Sequence, residues 1–231
     1  MNIDRTLFWF QDGDEQIISL SEDFFGLSTL LNRLLNEKYD GKKIEFINIY
    51  FYTDKTYEIY PMLPKESPYY FGGHLKYYGV FNKGEFLALS KLEQYKLVWE
   101  NVHKYLIESA NAIKNSKLAE AAEYAYQKGL LVNLNTDYKV VETNIAIGGK
   151  DLRASIWINF KEDGMHSKLT IEKEEVIIFE KEIDKTKNGV EFFIEMYKSI
   201  VLEDNNIVIK GRKDVDYLPL KIPLPDFILE K

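Results

Sequence analysis

Near residue 135 the hydrophobic period of this chain passes from that of the helix pair before it, about 3.6 residues, to about 2, so neither an all-helical nor an all-strand fold suits both halves. Before the change, Leu27, Leu30, Leu31, Leu34 and Leu35 recur at helical spacing. So do Leu92, Tyr95, Trp99, Val102, Leu106, Ala110 and Ile113, behind a Ser90/Glu93 pair with the spacing of a capping box. After the change, Leu152, Ala154, Ile156, Ile158 and Phe160 alternate with Arg153, Ser155, Trp157 and Asn159, as strand residues do when one face is buried.

These patterns predict an α+β fold: an antiparallel β-sheet or meander, with an amphipathic helical pair in the middle of the chain. Strands are expected over residues 7–10, 17–20, 43–53, 57–60 and 75–81, and a leucine-rich helix ends near Tyr39. A second, alanine-rich helix over 118–127 completes the pair, closed by Lys128-Gly129. Gly148-Gly149 and Asp163-Gly164 read as two-residue hairpin turns within a meander of about four strands ending near Ile183. A helix from Asn188 through Tyr197 follows, then two short strands about the turn Asp204-Asn205-Asn206, then an extended tail held out of helix by Pro219, Pro223 and Pro225. The chain reads as one compact domain, 1–231, with a mixed α/β part over 1–134 and a β-meander part with one helix over 135–231.

The net charge of −7 is spread evenly, residues 1–134 summing to −3 and 135–231 to −4. Without a basic stripe to neutralise phosphates, no nucleic-acid partner is expected. An acidic surface speeds encounter with a basic partner. Cysteine is absent, which excludes disulfides, thiolate catalysis and zinc–sulfur sites. The apolar run at residues 7–10 is too short for a signal segment, and no stretch approaches the roughly 20 apolar residues of a membrane span. The expectation is a cytoplasmic protein that does not engage the membrane and needs no cofactor.

Half of the tyrosines, 8 of 16, fall between Tyr50 and Phe81, together with three prolines, three glycines and His74. Tyrosine joins a large apolar ring to a polar tip and suits half-wet docking surfaces. Irregular backbone is expected over 61–74, so that Tyr69, Tyr70 and Phe71, flanked by Pro68 and Gly72-Gly73, cannot all point inward. The candidate partner- or ligand-binding residues are therefore Tyr57, Tyr60, Tyr69, Tyr70, Phe71, His74, Glu58 and Glu66, with no catalytic or metal residue assigned. His103 and His166 read as surface residues, and Asp12-Gly13-Asp14-Glu15 as a turn without the spacing of a calcium loop. Walker-type and G-x-S-x-G motifs are missing.

The expected function is a non-enzymatic module binding a protein partner, for which an inhibitor or toxin-neutralising (immunity-type) role is one form. There Tyr69, Tyr70 and Phe71 anchor a basic target, and Asp54, Glu58 and Glu66 steer it. The alternative is a binding protein or hydrolase for a saccharide-like ligand, with Glu58 or Glu66 and His74 as acid/base groups. The composition is also compatible with a homo-oligomer.

Overall fold

The computed structural model describes residues 2–229. The chain has an α+β fold and divides into two compact units, Met1–Thr136 and Asp137–Lys231. No helix among the described residues is long and apolar enough to cross a membrane.

The first unit is built on a five-stranded sheet. Its strands are β1 (Arg5–Asp12), β2 (Glu15–Gln16), β3 (Phe46–Tyr52), β4 (Ser67–Phe71) and β5 (His74–Val80), in the spatial order β2-β1-β3-β5-β4. The central three, β1, β3 and β5, run parallel, while β2 and β4 pair antiparallel at the edges. Parallel neighbours need crossovers. Those are supplied by α1 (Ile18–Asp23) and α2 (Phe25–Asn36) between β1 and β3, and by α3 (Asp54–Ile59) after β3. The chain then adds α4 (Lys83–Ala88), α5 (Lys91–Ala112) and α6 (Ser116–Leu131).

Strand alternation divides this sheet into two faces. Phe8 and Phe10 on β1, Ile47, Ile49 and Phe51 on β3, and Leu75 and Tyr77 on β5 share one face and one core cluster. The leucines of α2, Val98, Trp99, Val102 and Leu106 of α5, and Leu118, Ala121, Ala122 and Ala125 of α6 belong to the same cluster. The Ser90 capping box forms as expected: the Glu93 carboxylate accepts from the Ser90 amide at 2.8 Å, and Ser90 Oγ accepts from the Glu93 amide.

Four local expectations change in this unit. Residues 17–20 enter α1, because a short apolar run fits strand and helix alike. Residues 57–60 lie on and just past α3. The Pro- and Gly-rich stretch after them contains β4, whose hairpin to β5 turns on Gly72 and Gly73 at φ 54° and 85°. There glycine makes a tight turn rather than a loop. Finally, Gly129 does not close α6, which continues to Leu131. A Cβ at this position would lie 2.3 Å from the Trp99 indole, so the glycine is a packing notch inside the helix.

The second unit holds the expected meander of β6 (Tyr138–Ile147), β7 (Lys150–Lys161), β8 (Gly164–Lys173) and β9 (Val176–Thr186), all antiparallel neighbours. Its third turn is Glu174-Glu175, two non-glycine residues at φ 49° and 66°. A short helix α7 (Glu191–Glu195) leads to a three-stranded sheet of β10 (Tyr197–Glu203), β11 (Asn206–Gly211) and β12 (Leu220–Pro223).

The expected helix through Tyr197 stops at Glu195, because Tyr197 starts β10 with its ring buried and its hydroxyl 2.7 Å from Ser167 Oγ. The tail is extended only through β12. After Pro225, where a proline is tolerated at a helix entrance, it closes with α8 (Asp226–Leu229). The last part of the expected extended tail, residues 230–231, lies outside the described residues.

Candidate functional site

The second face of the first sheet follows from the register. Arg5, Leu7, Trp9 and Gln11 of β1 stand beside Phe46, Asn48, Tyr50 and Tyr52 of β3. Beyond these come His74, Lys76, Tyr78 and Val80 of β5, then Ser67, Tyr69 and Phe71 of the edge strand β4. This face opposes the core shared with α2, α5 and α6. Its rings contact one another: Tyr50 stacks on Tyr78 with centroids 5.1 Å apart and planes 10° from parallel. Tyr52 sits 5.4 Å from Tyr50, and Phe46 stacks on His74 at 4.7 Å beneath the Arg5 guanidinium. The Trp9 indole N–H donates to Asn48 Oδ1 at 3.0 Å, which pins the ring across the strand gap.

Burial pushes the Tyr50, Tyr52 and Tyr78 phenols above their ordinary pKa, so they stay neutral and can donate as well as accept. Exposure rises toward the edge, to 50% at Tyr69 and 73% at Phe71.

Tyr69, Phe71 and His74 are therefore brought together on one face, with Phe71 directly opposite His74. The remaining candidates are not. Tyr70 points to the other face, where its ring packs against the core and its hydroxyl donates to the Lys43 carbonyl at 2.6 Å. Tyr57 is buried on α3 and donates to the Gly79 carbonyl at 3.1 Å. Tyr60 and Glu58 are exposed at the end of α3. Glu66 occupies a left-handed turn position before β4, at φ 47°. Its charge acts on Tyr57, Tyr77 and Tyr105, and the last two lie on the helix-covered side.

Glu66 immediately precedes Ser67, which pairs with Tyr78, four residues along β5 from His74. At roughly 3.3 Å per residue that is about 13 Å, too far for the two to act as an acid/base pair. Asp54 is held by Lys65 at 2.7 Å in the open.

Trp9, Tyr50 and Tyr78 were outside the candidate set. The alternation in Leu7-Phe8-Trp9-Phe10 carried the signal for Trp9, since a strand with Phe8 and Phe10 inward must turn Trp9 outward. Trp9, Tyr50 and Tyr52, with Gln11, Gln16 and Ile18, line a small cavity of about 60 Å³ at one end of the face.

Beside it the three parallel strand ends are tied together. The Asp12 carboxylate accepts from Lys83 at 2.9 Å and from Thr53 Oγ1 at 3.0 Å, and these hydrogen bonds lower its pKa. Thr53 precedes α3 and makes no side-chain cap to it, its hydroxyl being given to Asp12.

His166 is not a surface residue: it is 9% exposed, with Nε2 2.9 Å from Asp163 Oδ1 and Nδ1 3.8 Å from Glu182. Long side chains from the β7–β8 turn and from β9 cover it, and it borders a polar cavity of about 490 Å³ shared with Asn159, Lys168 and Glu180. His103 is three-quarters covered, stacked on Tyr126 at 4.3 Å and 2.9 Å from Glu123. The outer face of the meander is a lattice of paired charges, with Arg153 on Glu172 at 2.8 Å and Lys139 on Glu142 at 2.7 Å.

No known protein family, curated protein or solved structure matches the chain.

Proposed function

We propose that this protein is a docking module that binds a protein partner through the open aromatic face of its first sheet. One observation carries the reading: Trp9, Phe46, Tyr50, Tyr69, Phe71, His74 and Tyr78 share a sheet face that lies opposite the helix-covered core. A large ring left in water forgoes about 1.5–3 kcal/mol of burial, and contiguous exposed apolar surface marks interaction sites. Aromatic anchors are also the residues that dominate protein interfaces.

The separation of His74 from Glu66 weighs against that pair as the acid/base groups of the hydrolase alternative. The form of the reading in which acidic groups steer a basic target draws no support from this face, whose charged side chains are Arg5 and Lys76. A neutralising or inhibitory role would then act on a target with an acidic or neutral contact surface. A cytoplasmic setting belongs to the same reading, in keeping with a chain that has no cysteine.

The test is gentle purification from the native host followed by native mass spectrometry. A partner at fixed stoichiometry should be lost on Tyr69→Ala with Phe71→Ala, and kept on Leu131→Ser at the 78%-exposed end of α6. Loss of the partner on Leu131→Ser alone would move the interface elsewhere.

A further inference from the structure

We infer that the second unit binds a small polyhydroxylated anion, carrying a phosphate or a carboxylate, in the polar cavity beside His166. The cavity is lined only by residues of that unit, so the inference stands apart from the docking reading. At about 490 Å³ it falls within the roughly 300–1,000 Å³ of sites that hold small molecules. Those sites are ordinarily lined by apolar and aromatic side chains. This lining has none: it is made of charged side chains with Asn159 and His166. An occupant must therefore replace the hydrogen bonds of water over its whole surface, which a polyol does and an apolar side chain does not.

His166 supplies the observation that points to a ligand. Asp163, drawn down to a pKa of about 2 by Lys185 and then His166, is an ionised carboxylate that only accepts. The 2.9 Å contact therefore places the ring proton on Nε2, and on the neutral, buried ring Nδ1 is left as an acceptor. Nδ1 faces Glu182 Oε1 at 3.8 Å, and two acceptors at that distance make no bond. Lys161 Nζ lies 3.8 Å from the same oxygen, again beyond hydrogen-bond reach. Adjacent hydroxyls placed in this gap would donate to Nδ1 and to Glu182 and accept from Lys161.

Charge sets the sign of the ligand. Asp137 is taken up by the Asn159 amide at 2.8 Å and the Phe160 N–H at 2.9 Å, and Glu180 by Lys168 at 3.1 Å. Lys168 keeps further N–H donors, Lys161 has its carboxylate only at 3.8 Å, and Lys181 adds another ammonium to the lining. These donors suit the oxygens of a phosphate or carboxylate attached to the polyol. Among the described residues no three acidic or imidazole groups converge as a metal site requires, which weighs against a bare cation.

The test titrates the intact protein with a panel of hexose monophosphates and sugar acids such as gluconate, and follows the His166 ring nitrogens by NMR. Inorganic phosphate and glucose serve as the two half-ligands. At least one polyhydroxylated anion should shift the Nδ1 signal and bind about tenfold or more tightly than either half-ligand. The phosphorylated and carboxylated members tell which anionic group the site takes. The affinity should fall about tenfold or more on Lys161→Met and on Glu182→Leu, two exposed positions where melting should match the parent. Inorganic phosphate binding as tightly as the whole ligand would overturn the polyol, and glucose binding as tightly would overturn the anion. A panel that leaves the His166 signals unmoved, or binding indifferent to both substitutions, would overturn the site and leave the docking face standing.

Discussion

Trp99 of α5 lies on Gly129 of α6, so closely that a Cβ on the glycine would come within 2.3 Å of the ring, and the indole N–H donates to the Tyr126 carbonyl at 3.2 Å. Two effects of Gly129→Ala oppose each other. Helix propensity favours alanine over glycine by about 1 kcal/mol in a helix interior. Forcing a methyl group into a closed contact costs about 1–3 kcal/mol. The ring is fully buried and hydrogen-bonded, so it has no easy retreat and the clash wins. Urea denaturation should show a net loss of about 1–2 kcal/mol. The loss should shrink when Trp99→Phe is combined with it, as a double-mutant cycle will report.

The Ser90–Glu93 box carries a second prediction, at the other end of α5. Ser90→Ala removes the acceptor for the Glu93 amide, while the 2.8 Å bond from the Ser90 amide to the Glu93 carboxylate can persist. The expected cost is about 1 kcal/mol, the usual value of a lost N-cap. Ser90→Thr should restore most of it, since threonine keeps both the acceptor for the Glu93 amide and the hydroxyl that donates to the Glu93 carboxylate at 2.5 Å. Denaturant midpoints of the three proteins decide the matter; equal midpoints would show that the box does not anchor α5.

What the sequence made legible was whatever a short-range rule governs. The box at Ser90, the alternation in β7 and the turn at Gly148-Gly149 all lie within a few residues of their partners, while the next hairpin turns one residue earlier than expected, on Glu162-Asp163, with Gly164 already in β8 and paired to Lys161. The parallel centre of the first sheet was not legible, because nothing local to 7–12, 46–52 or 74–80 records which strand lies alongside. Gly129 misled for a related reason: its purpose is the ring of a residue 30 positions earlier. His166 became a buried residue through Glu182 on the next strand, which the sequence places 16 residues away. The aromatic face was half legible. The tyrosine window pointed to β4 and β5, but Trp9 joined it only through the parallel pairing of β1 with β3. Tyr57 and Tyr70 left it because a helix and a strand turned them inward.

The Glu174-Glu175 turn is a place to gain stability. Both residues sit at positive φ, 49° and 66°, in a two-residue hairpin between Lys173 and Val176. A side chain bearing Cβ is strained there, and the two carboxylates stand beside each other. Asn-Gly is the pair that this turn favours. Glu174→Asn with Glu175→Gly should raise stability by about 0.5–1 kcal/mol, read as a higher denaturant midpoint with an unchanged slope. A lower midpoint would mean that the carboxylates make a compensating contribution, Glu175 through its attraction for Arg153.

Asp163 supplies the pH dependence. Its carboxylate accepts hydrogen bonds from Lys185 first and His166 second, and these draw its pKa down from 3.8 to about 2. A group whose pKa is lower folded than unfolded stabilises the fold at any pH above its unfolded value. That contribution is lost as pH falls from about 4 toward 2, where the folded carboxylate at last takes up its proton. Because Asp163 is exposed, solvent screens the effect and the quantity to read is the titration itself. Carbon-detected NMR of the side-chain carboxyl should give a midpoint near 2 in the parent, moving toward 3.8 in Lys185→Met. A midpoint near 3.8 in the parent would mean that Lys185 does not hold Asp163 in solution, and that the cover over His166 opens on that side.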